Sequence, residues 1–313
     1  MSHIRTVDDE RNAMTSTWLN FMGSQIRYGG NRYQGRYVEA GQGEPIILLH
    51  GQGGYVENFT RNIAAFAEHF HVYALDCVWH GQGPQPEFNP ELIPTFVDQV
   101  LDFMDWKGLD SAHFEGQSMG GWTAMRIAYE HPARVRKLAL ATTQGFVLKP
   151  EPGKVIGGLP GGTTLTNFVS YLENPTRENM RNRLLVLFAN PDRLPEEVID
   201  IRYKIYNHPT TNKSLLNVVK NYMGGAGAPP EKYIMTEKEL AQIKAPTFVY
   251  WSENNPVPPP AGELLAAAIP GAKHYLVPDT GHWAQFENAD IHNREILRFL
   301  TDNPNLEPLL VGE

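Results

Sequence analysis

The stretch Glu115-Gly116-Gln117-Ser118-Met119-Gly120-Gly121 decides the interpretation of this sequence. An apolar run ends at Phe114 and a helix-like run begins at Trp122, so the stretch joins a predicted strand to a predicted helix. Its glycines permit a turn so tight that the hydroxyl of Ser118 stands above the sheet, with the N–H of Met119 facing the reacting group. The pattern predicts a nucleophile elbow, and an ordinary glycine-rich turn is the alternative.

Composition excludes several classes of protein. The chain has 313 residues, 42% hydrophobic and 20% charged, as in a globular protein with a substantial core. A formal net charge of −8 without any basic run argues against nucleic acid as a partner. The single cysteine, Cys77, ends an apolar run, so we expect a buried thiol and no intrachain disulfide. We expect no secretory signal and no membrane span, hence a cytoplasmic protein.

Short apolar runs alternate with helix-like segments along most of the chain, which is typical of a parallel sheet built from βαβ units. Between residues 145 and 243 the pattern changes to glycine- and proline-rich loops and charged helical segments, without a strong β-run. The sequence therefore predicts an α/β fold with a mostly parallel, doubly wound sheet and an inserted helical lid. The predicted parts are an N-terminal extension (1–24), the first core segment (25–144), the lid (145–243), the second core segment (244–303) and a C-terminal tail (304–313).

A second glycine-rich segment, residues 50–54, follows the apolar run at 45–49. Glycines there let the backbone turn sharply and present N–H groups. The amide of Gln52 or Gly53, together with that of Met119, is therefore predicted to form an oxyanion hole. A plain turn at the end of a strand is the competing interpretation.

His282 is the predicted general base. It lies in Gly281-His282-Trp283, just after the last predicted strand, and in α/β-hydrolases the catalytic histidine follows the serine along the chain. This prediction depends on position, because the chain has 11 histidines and residue type alone singles out none of them.

The acid that would orient His282 is expected after the predicted strand that ends at Trp251, and the residue to align with an aspartate there is Asn255. An amide lacks the full negative charge that stabilises an imidazolium, but its carbonyl can accept the histidine Nδ1–H and set the tautomer. Glu253 is the alternative acid. Asp279 lies on the same loop as His282 and is not expected to reach around the ring.

These residues resemble those of the α/β-hydrolase superfamily over about residues 35–302, and more narrowly those of the meta-cleavage-product hydrolases. Those enzymes cut a C–C bond in 2-hydroxy-6-oxo-dienoates formed by ring opening of catechols. The stretches that resemble the narrower family are Asn58-Phe59-Thr60-Arg61-Asn62, the lid segment 194–203, Gly281-His282-Trp283-Ala284-Gln285-Phe286-Glu287, and Asn293 and Phe299 in the helix that follows.

The resemblance implies a hydrolase that cleaves a C–C bond in a small ring-fission substrate, with Ser118 as nucleophile and neither cofactor nor metal. It also implies substrate contacts for Asn58, Gln117, Arg202 and Trp283, with the Arg202 guanidinium holding a carboxylate. A solvated lid arginine and a core tryptophan are the structural alternatives for Arg202 and Trp283.

Two departures leave the reaction open, since the family usually has asparagine at the position of Gln117 and a carboxylate at that of Asn255. A carboxylesterase or lactonase with the same machinery is one alternative. A cofactor-independent lyase or oxygenase, and a catalytically silent ligand receptor, are others. We expect a small organic molecule as partner, neither nucleic acid nor membrane, and leave self-association into a homo-oligomer open.

Overall fold

An eight-stranded sheet forms the centre of the structure, a computed structural model that describes residues 16–151, 154–157, 163–222 and 230–307. In spatial order the strands, numbered along the chain, are β1 (Gln25–Gly29), β2 (Gly35–Ala40), β4 (His71–Leu75), β3 (Pro45–Leu49), β5 (Ala112–Gln117), β6 (Val135–Ala141), β10 (Thr247–Ser252) and β11 (Lys273–Val277). The pairs β1–β2 and β2–β4 are antiparallel, and all pairs from β4 to β11 are parallel. The predicted mostly parallel sheet is confirmed, and only the exposed edge strand β1 lacked an apolar pattern.

Both faces of the sheet are covered, which explains why a central strand such as β3 is a continuous apolar run rather than an alternating one. In β3, Ile47 and Leu49 enter one apolar cluster and Ile46 and Leu48 enter the other. The core helices are α1 (Thr17–Asn20), α2 (Thr60–Ala67), α3 (Leu92–Lys107), α4 (Met119–Glu130), α10 (Pro260–Ala268), α11 (Ala284–Glu287) and α12 (Ala289–Leu300). No helix in the described part of the chain is long and apolar enough to span a bilayer.

The segment between β6 and β10 forms the inserted region. Its helices are α5 (Thr163–Glu173), α6 (Arg177–Leu185), α7 (Glu196–Tyr206), α8 (Pro209–Tyr222) and the short α9 (Glu237–Leu240). It also contains a three-stranded sheet with the order β8 (Lys154–Gly157), β7 (Phe146–Glu151), β9 (Met235–Thr236). The sequence analysis found no strong β-run in this region, and its three strands are short. Strands of only two to six residues give little period-2 signal in the sequence. In addition, β9 exists only because it pairs with the distant strand β7.

Candidate active site

Ser118 occupies a strained turn between β5 and α4. Its backbone has φ 54° and ψ −115°, a conformation that L-residues rarely adopt and that marks functional sites. A Cβ at Gly116 would overlap the backbone of Gly120, and one at Gly120 would overlap the Leu49 carbonyl. Only glycine therefore permits the close approach of β5, α4 and the end of β3. The strand–turn–helix geometry predicted from the sequence is present, and it places Ser118 in the wall of a cavity.

The glycine-rich loop after β3 reaches the same cavity through Gly51 and Gln52. Met119 is the first residue of α4, so its N–H has no partner within the helix. Among the described residues, neither this N–H nor that of Gln52 donates a hydrogen bond. Gly53 lies outside the cavity lining, and its carbonyl accepts a hydrogen bond from Tyr206 Oη at 2.7 Å. Within the described part of the chain, the N–H groups of Met119, Gln52 and Gly53 therefore all lack a hydrogen-bond partner, and Gln52 is the one of the three that lines the cavity.

His282 contacts Asn255, with 2.7 Å between its Nδ1 and the amide Oδ1. The orientation of the amide is set by its other end, because Nδ2 donates to the Val257 carbonyl at 3.0 Å. An amide oxygen only accepts, so His282 carries its proton on Nδ1 and keeps a free lone pair on Nε2. Burial and the positive charge of Arg183 lower the pKa of His282 to about 4, so the ring is neutral at pH 7.

The carboxylates near this loop point elsewhere. Glu253 is exposed and accepts a hydrogen bond from the Asp279 N–H at 3.0 Å, and Asp279 pairs with Arg193 at 2.6 Å. Glu287 is buried and accepts hydrogen bonds from the N–H groups of Gly281, at 2.6 Å, and of residues 189 and 190 in the inserted region. The structure thus brings Asn255 to His282 and uses Glu287 to attach the histidine loop to the inserted region.

A cavity of about 330 Å³ connects these groups. Its core side includes Ser118, His282, Asn255, Gln117 and Trp283. The inserted region closes the opposite side and contributes Phe168, Arg183, Val186 and Leu187. Residues far apart in sequence thus line one space beside the serine, and this space is large enough for a small substrate.

Comparison with known proteins shows the family of the chain. The model of the alpha/beta hydrolase fold family matches residues 44–289. The chain belongs to the α/β-hydrolase family. It is 30% identical, over 92% of its length and 96% of the relative's, to the 2-hydroxy-6-oxononadienedioate/2-hydroxy-6-oxononatrienedioate hydrolase of Klebsiella pneumoniae. The second hydrolase of that name from Pseudomonas putida is 32% identical over 88% and 95% of the two chains.

A solved structure shares the fold. The 2-hydroxy-6-oxo-6-phenylhexa-2,4-dienoate hydrolase from Rhodococcus sp. strain RHA1 superposes with a TM-score of 0.77, covering 89% of this chain and 99% of that one at 22% identity. The sequence similarities to the two relatives place this α/β-hydrolase with enzymes of the meta-cleavage-product hydrolase type.

Arg202 and Asn58 of the hydrolase lie outside the cavity lining, unlike Gln117 and Trp283. Arg202 is buried, its guanidinium carbon is 5.2 Å from the centre of the Trp283 ring, and its Nη1 donates to the Gly53 carbonyl. Asn58 is buried, and neither polar atom of its side chain has a hydrogen-bond partner in the described part of the chain. Arg202 therefore holds the glycine-rich loop one layer behind the cavity wall.

Sequence reasoning missed Arg183 of the hydrolase. Its guanidinium carbon lies 4.3 Å from the centre of the Phe168 ring, and its Nε and Nη1 are buried with no hydrogen-bond partner among the residues that the structure describes. Helical spacing could have indicated that Arg183 lies on a different face of α6 from the other two arginines. At 100° per residue, Arg177 and Arg181 lie about 40° apart around the helix axis, and Arg183 lies about 160° from Arg181. An arginine opposite two surface arginines is expected to face the protein interior.

Proposed function

We propose that this hydrolase cleaves a C–C bond in a small 2-hydroxy-6-oxo-dienoate-like substrate, with Ser118 as nucleophile, His282 as base and Asn255 orienting the imidazole. One observation carries the proposal: the serine elbow and the His282–Asn255 pair meet in one lidded cavity. The names of relatives that are 30–32% identical over most of the chain support the substrate class.

The chemistry follows from these groups. In the 2,6-dioxo tautomer of such a substrate, the Ser118 hydroxyl attacks the C6 carbonyl or activates the water that does so, and His282 Nε2 takes the proton. The oxyanion accepts hydrogen bonds from the N–H groups of Met119 and Gln52. As the C5–C6 bond breaks, its electron pair is delocalised onto the 2-oxo acid and C5 takes the proton from His282. Where Ser118 was acylated, water then releases the acid.

The acid of a catalytic triad fixes the histidine tautomer and stabilises the imidazolium by its charge. Asn255 is sufficient for the first of these two tasks. Its carbonyl fixes the tautomer of His282, so the Nε2 lone pair is available to the serine. It provides no charge for the imidazolium, so we expect slower proton transfer than with a carboxylate. The C–C cleavage tolerates this because the base needs only to hold one proton between the two steps.

Substitution of Ser118 by alanine tests the proposal. We expect kcat for 2-hydroxy-6-oxononadienedioate, followed by the loss of its visible absorbance, to fall at least about 10⁴-fold. Binding, measured by calorimetry, should remain because the cavity walls are unchanged. The matched control is Ser170→Ala on α5, an exposed serine outside the cavity lining, with native kcat expected.

Two outcomes would contradict the proposal. Full turnover by Ser118→Ala would show that Ser118 is not the nucleophile. It would favour a lyase- or oxygenase-type reaction that depends on His282 alone. A kcat/KM for p-nitrophenyl esters or lactones far above that for the dienoate would identify an esterase or lactonase instead.

A further inference from the structure

Thr142 directly follows β6 and has a backbone conformation that is rare for its residue type. Its φ is 40°, in the left-handed region, although threonine is β-branched. Its side chain is buried, and the residue lines the cavity that contains Ser118. Glycine would adopt this conformation without steric cost, so a threonine here indicates that its side chain has a function at the site.

The hydroxyl of Thr142 contacts the backbone of the catalytic histidine. Its Oγ1 donates to the carbonyl of His282 at 2.8 Å, and Gln117 Nε2 donates to the same carbonyl at 3.2 Å. Both donor residues are only 1% exposed, so water does not compete for these hydrogen bonds. They attach the backbone of His282 to the carboxyl ends of β5 and β6.

The neighbours of Thr142 hold the backbone of Ser118. The Ser118 N–H donates to the carbonyl of Ala141 at 3.1 Å. The Ser118 carbonyl accepts from the Gln144 N–H and from Thr143 Oγ1, both at 3.3 Å. One short segment after β6 therefore contacts the backbone of the nucleophile directly and the backbone of the base through the Thr142 hydroxyl.

The other contacts of the histidine loop lead away from the serine. The N–H of Trp283 donates to the carbonyl of Leu187, in the inserted region, at 3.1 Å. Asn255 contacts the imidazole ring at Nδ1 and leaves the backbone of His282 unsupported. The hydrogen bond from Thr142 is thus a contact that relates the base to the elbow rather than to the inserted region.

We propose that Thr142 is a positioning residue for the reaction: its hydroxyl fixes the backbone of His282 against the segment that also fixes Ser118, so that Nε2 is presented to the serine hydroxyl. The proposal rests on the proposed function only in assigning Ser118 as nucleophile and His282 as base. Position is decisive for proton transfer, because a displacement of about 1 Å between reacting groups can lower a rate about 100-fold. Asn255 orients the ring but adds no charge that would offset such a displacement.

Thr142→Val removes the hydroxyl and keeps the β-branched shape, whereas Thr142→Ser keeps the hydroxyl. Two rates are measured: kcat for 2-hydroxy-6-oxononadienedioate, and the rate constant for phosphonylation of Ser118 by a fluorophosphonate. We expect Thr142→Val to lower both rates about 10- to 100-fold, with KM within about 2-fold of native. Thr142→Ser should remain within about 3-fold of native in both rates. Thr142→Ala, which also lacks the hydroxyl, should behave as the valine variant does and replaces it if valine prevents folding.

The matched control is Thr247→Val at the start of β10. Thr247 is equally buried, and its Oγ1 donates to the Ala245 carbonyl at 2.9 Å, outside the cavity lining. Native rates are expected for this variant. In Thr142→Val the acid limb of the pH profile should stay in place, because the lost hydrogen bond is to the backbone of His282 and not to its ring.

Several results would overturn the proposal. Native rates in Thr142→Val would show that the hydroxyl is not needed, and equal losses in the valine and serine variants would assign the effect to packing. A rise in KM alone would indicate a contact between Thr142 and substrate. A displaced acid limb, an equal loss in Thr247→Val, or no phosphonylation of the native protein would also contradict a positioning role.

Phosphonylation separates this proposal from the proposed reaction, because it needs the serine and its base but no dienoate. Failure to turn over the dienoate, with phosphonylation that slows in Thr142→Val and not in Thr142→Ser, would refute the C–C cleavage and leave the positioning role intact. Turnover of the dienoate at the native rate by Thr142→Val would refute the positioning role and leave the reaction intact.

Discussion

Replacing Asn255 by aspartate exchanges Nδ2 for an oxygen and gives a negative charge to the side chain that contacts His282. The Oδ1 that lies 2.7 Å from the histidine Nδ1 becomes part of a carboxylate, so a full negative charge faces the imidazole. An opposite charge this close raises a histidine pKa by about 1 to 3. The pKa of His282, held near 4 by burial and by Arg183, should therefore move to about 5 to 7.

The same change has a cost at the other end of the side chain. Asn255 Nδ2 donates to the Val257 carbonyl at 3.0 Å, and a carboxylate oxygen there would face another acceptor. Loss of this hydrogen bond should lower the free energy of unfolding by about 1–3 kcal/mol at pH 8. This contact explains why an amide suits the position.

The pH dependence of stability should change as well. A histidine whose folded pKa is near 4, below its ordinary 6.5, contributes stability that is present above pH 6.5 and is lost as the pH falls towards 4. For the native protein this loss is about 2 kcal/mol between pH 8 and pH 5. Asn255→Asp narrows the gap between the two pKa values, so its deficit in unfolding free energy should be smaller at pH 5 than at pH 8.

The assay is the pH profile of kcat/KM with a neutral ester, because a neutral substrate does not itself titrate. We expect the acid limb to lie near pH 4 in the native enzyme and at least about one pH unit higher in Asn255→Asp. The control is Glu253→Gln, which should leave the profile unchanged since Glu253 contacts the Asp279 N–H. An unmoved limb in Asn255→Asp, together with lost activity in Glu253→Gln, would refute the assignment of Asn255.

Two further substitutions test the supports of the site. Arg202→Met removes a donor to the Gly53 carbonyl and should loosen the glycine-rich loop. In steady-state kinetics we therefore expect kcat to fall about 10-fold with little change in KM. An effect on KM alone would instead indicate that Arg202 contacts the substrate directly. Glu287→Gln weakens three hydrogen bonds to backbone N–H groups around His282, and chemical denaturation should show a loss of about 2–4 kcal/mol; unchanged unfolding would mean that the histidine loop is held by other contacts.

Much of the fold follows from local pattern. Apolar runs such as 45–49 and 138–141 identify strands that are covered on both faces, because the residues on both faces of such strands enter the core. The predicted positions of Ser118 and His282 follow from where those strands end. The strand β9 was missed because two residues carry no periodic signal, and it exists only by pairing with β7.

Asn255 and Glu253 illustrate where sequence reasoning stopped. Both follow β10, and both carry an oxygen that can accept from a histidine, so chemistry and spacing left two candidates. The choice is made by backbone contacts: the Val257 carbonyl orients the Asn255 amide, and the Asp279 N–H draws Glu253 away. Neither contact can be inferred without the path of the loops.

The sequence by itself determined the α/β architecture, the elbow at Ser118 and the position of His282, because each depends on the order of residues within a short segment and on the ends of strands. Only the tertiary structure decided which lid arginine enters the cavity. Arg202 lies in a segment that resembles a known family, yet its Nη1 donates to the Gly53 carbonyl, whereas Arg183 lines the cavity that contains Ser118. The physical reason is that packing of the inserted region on the core, and not sequence spacing, determines which side chains reach the cavity.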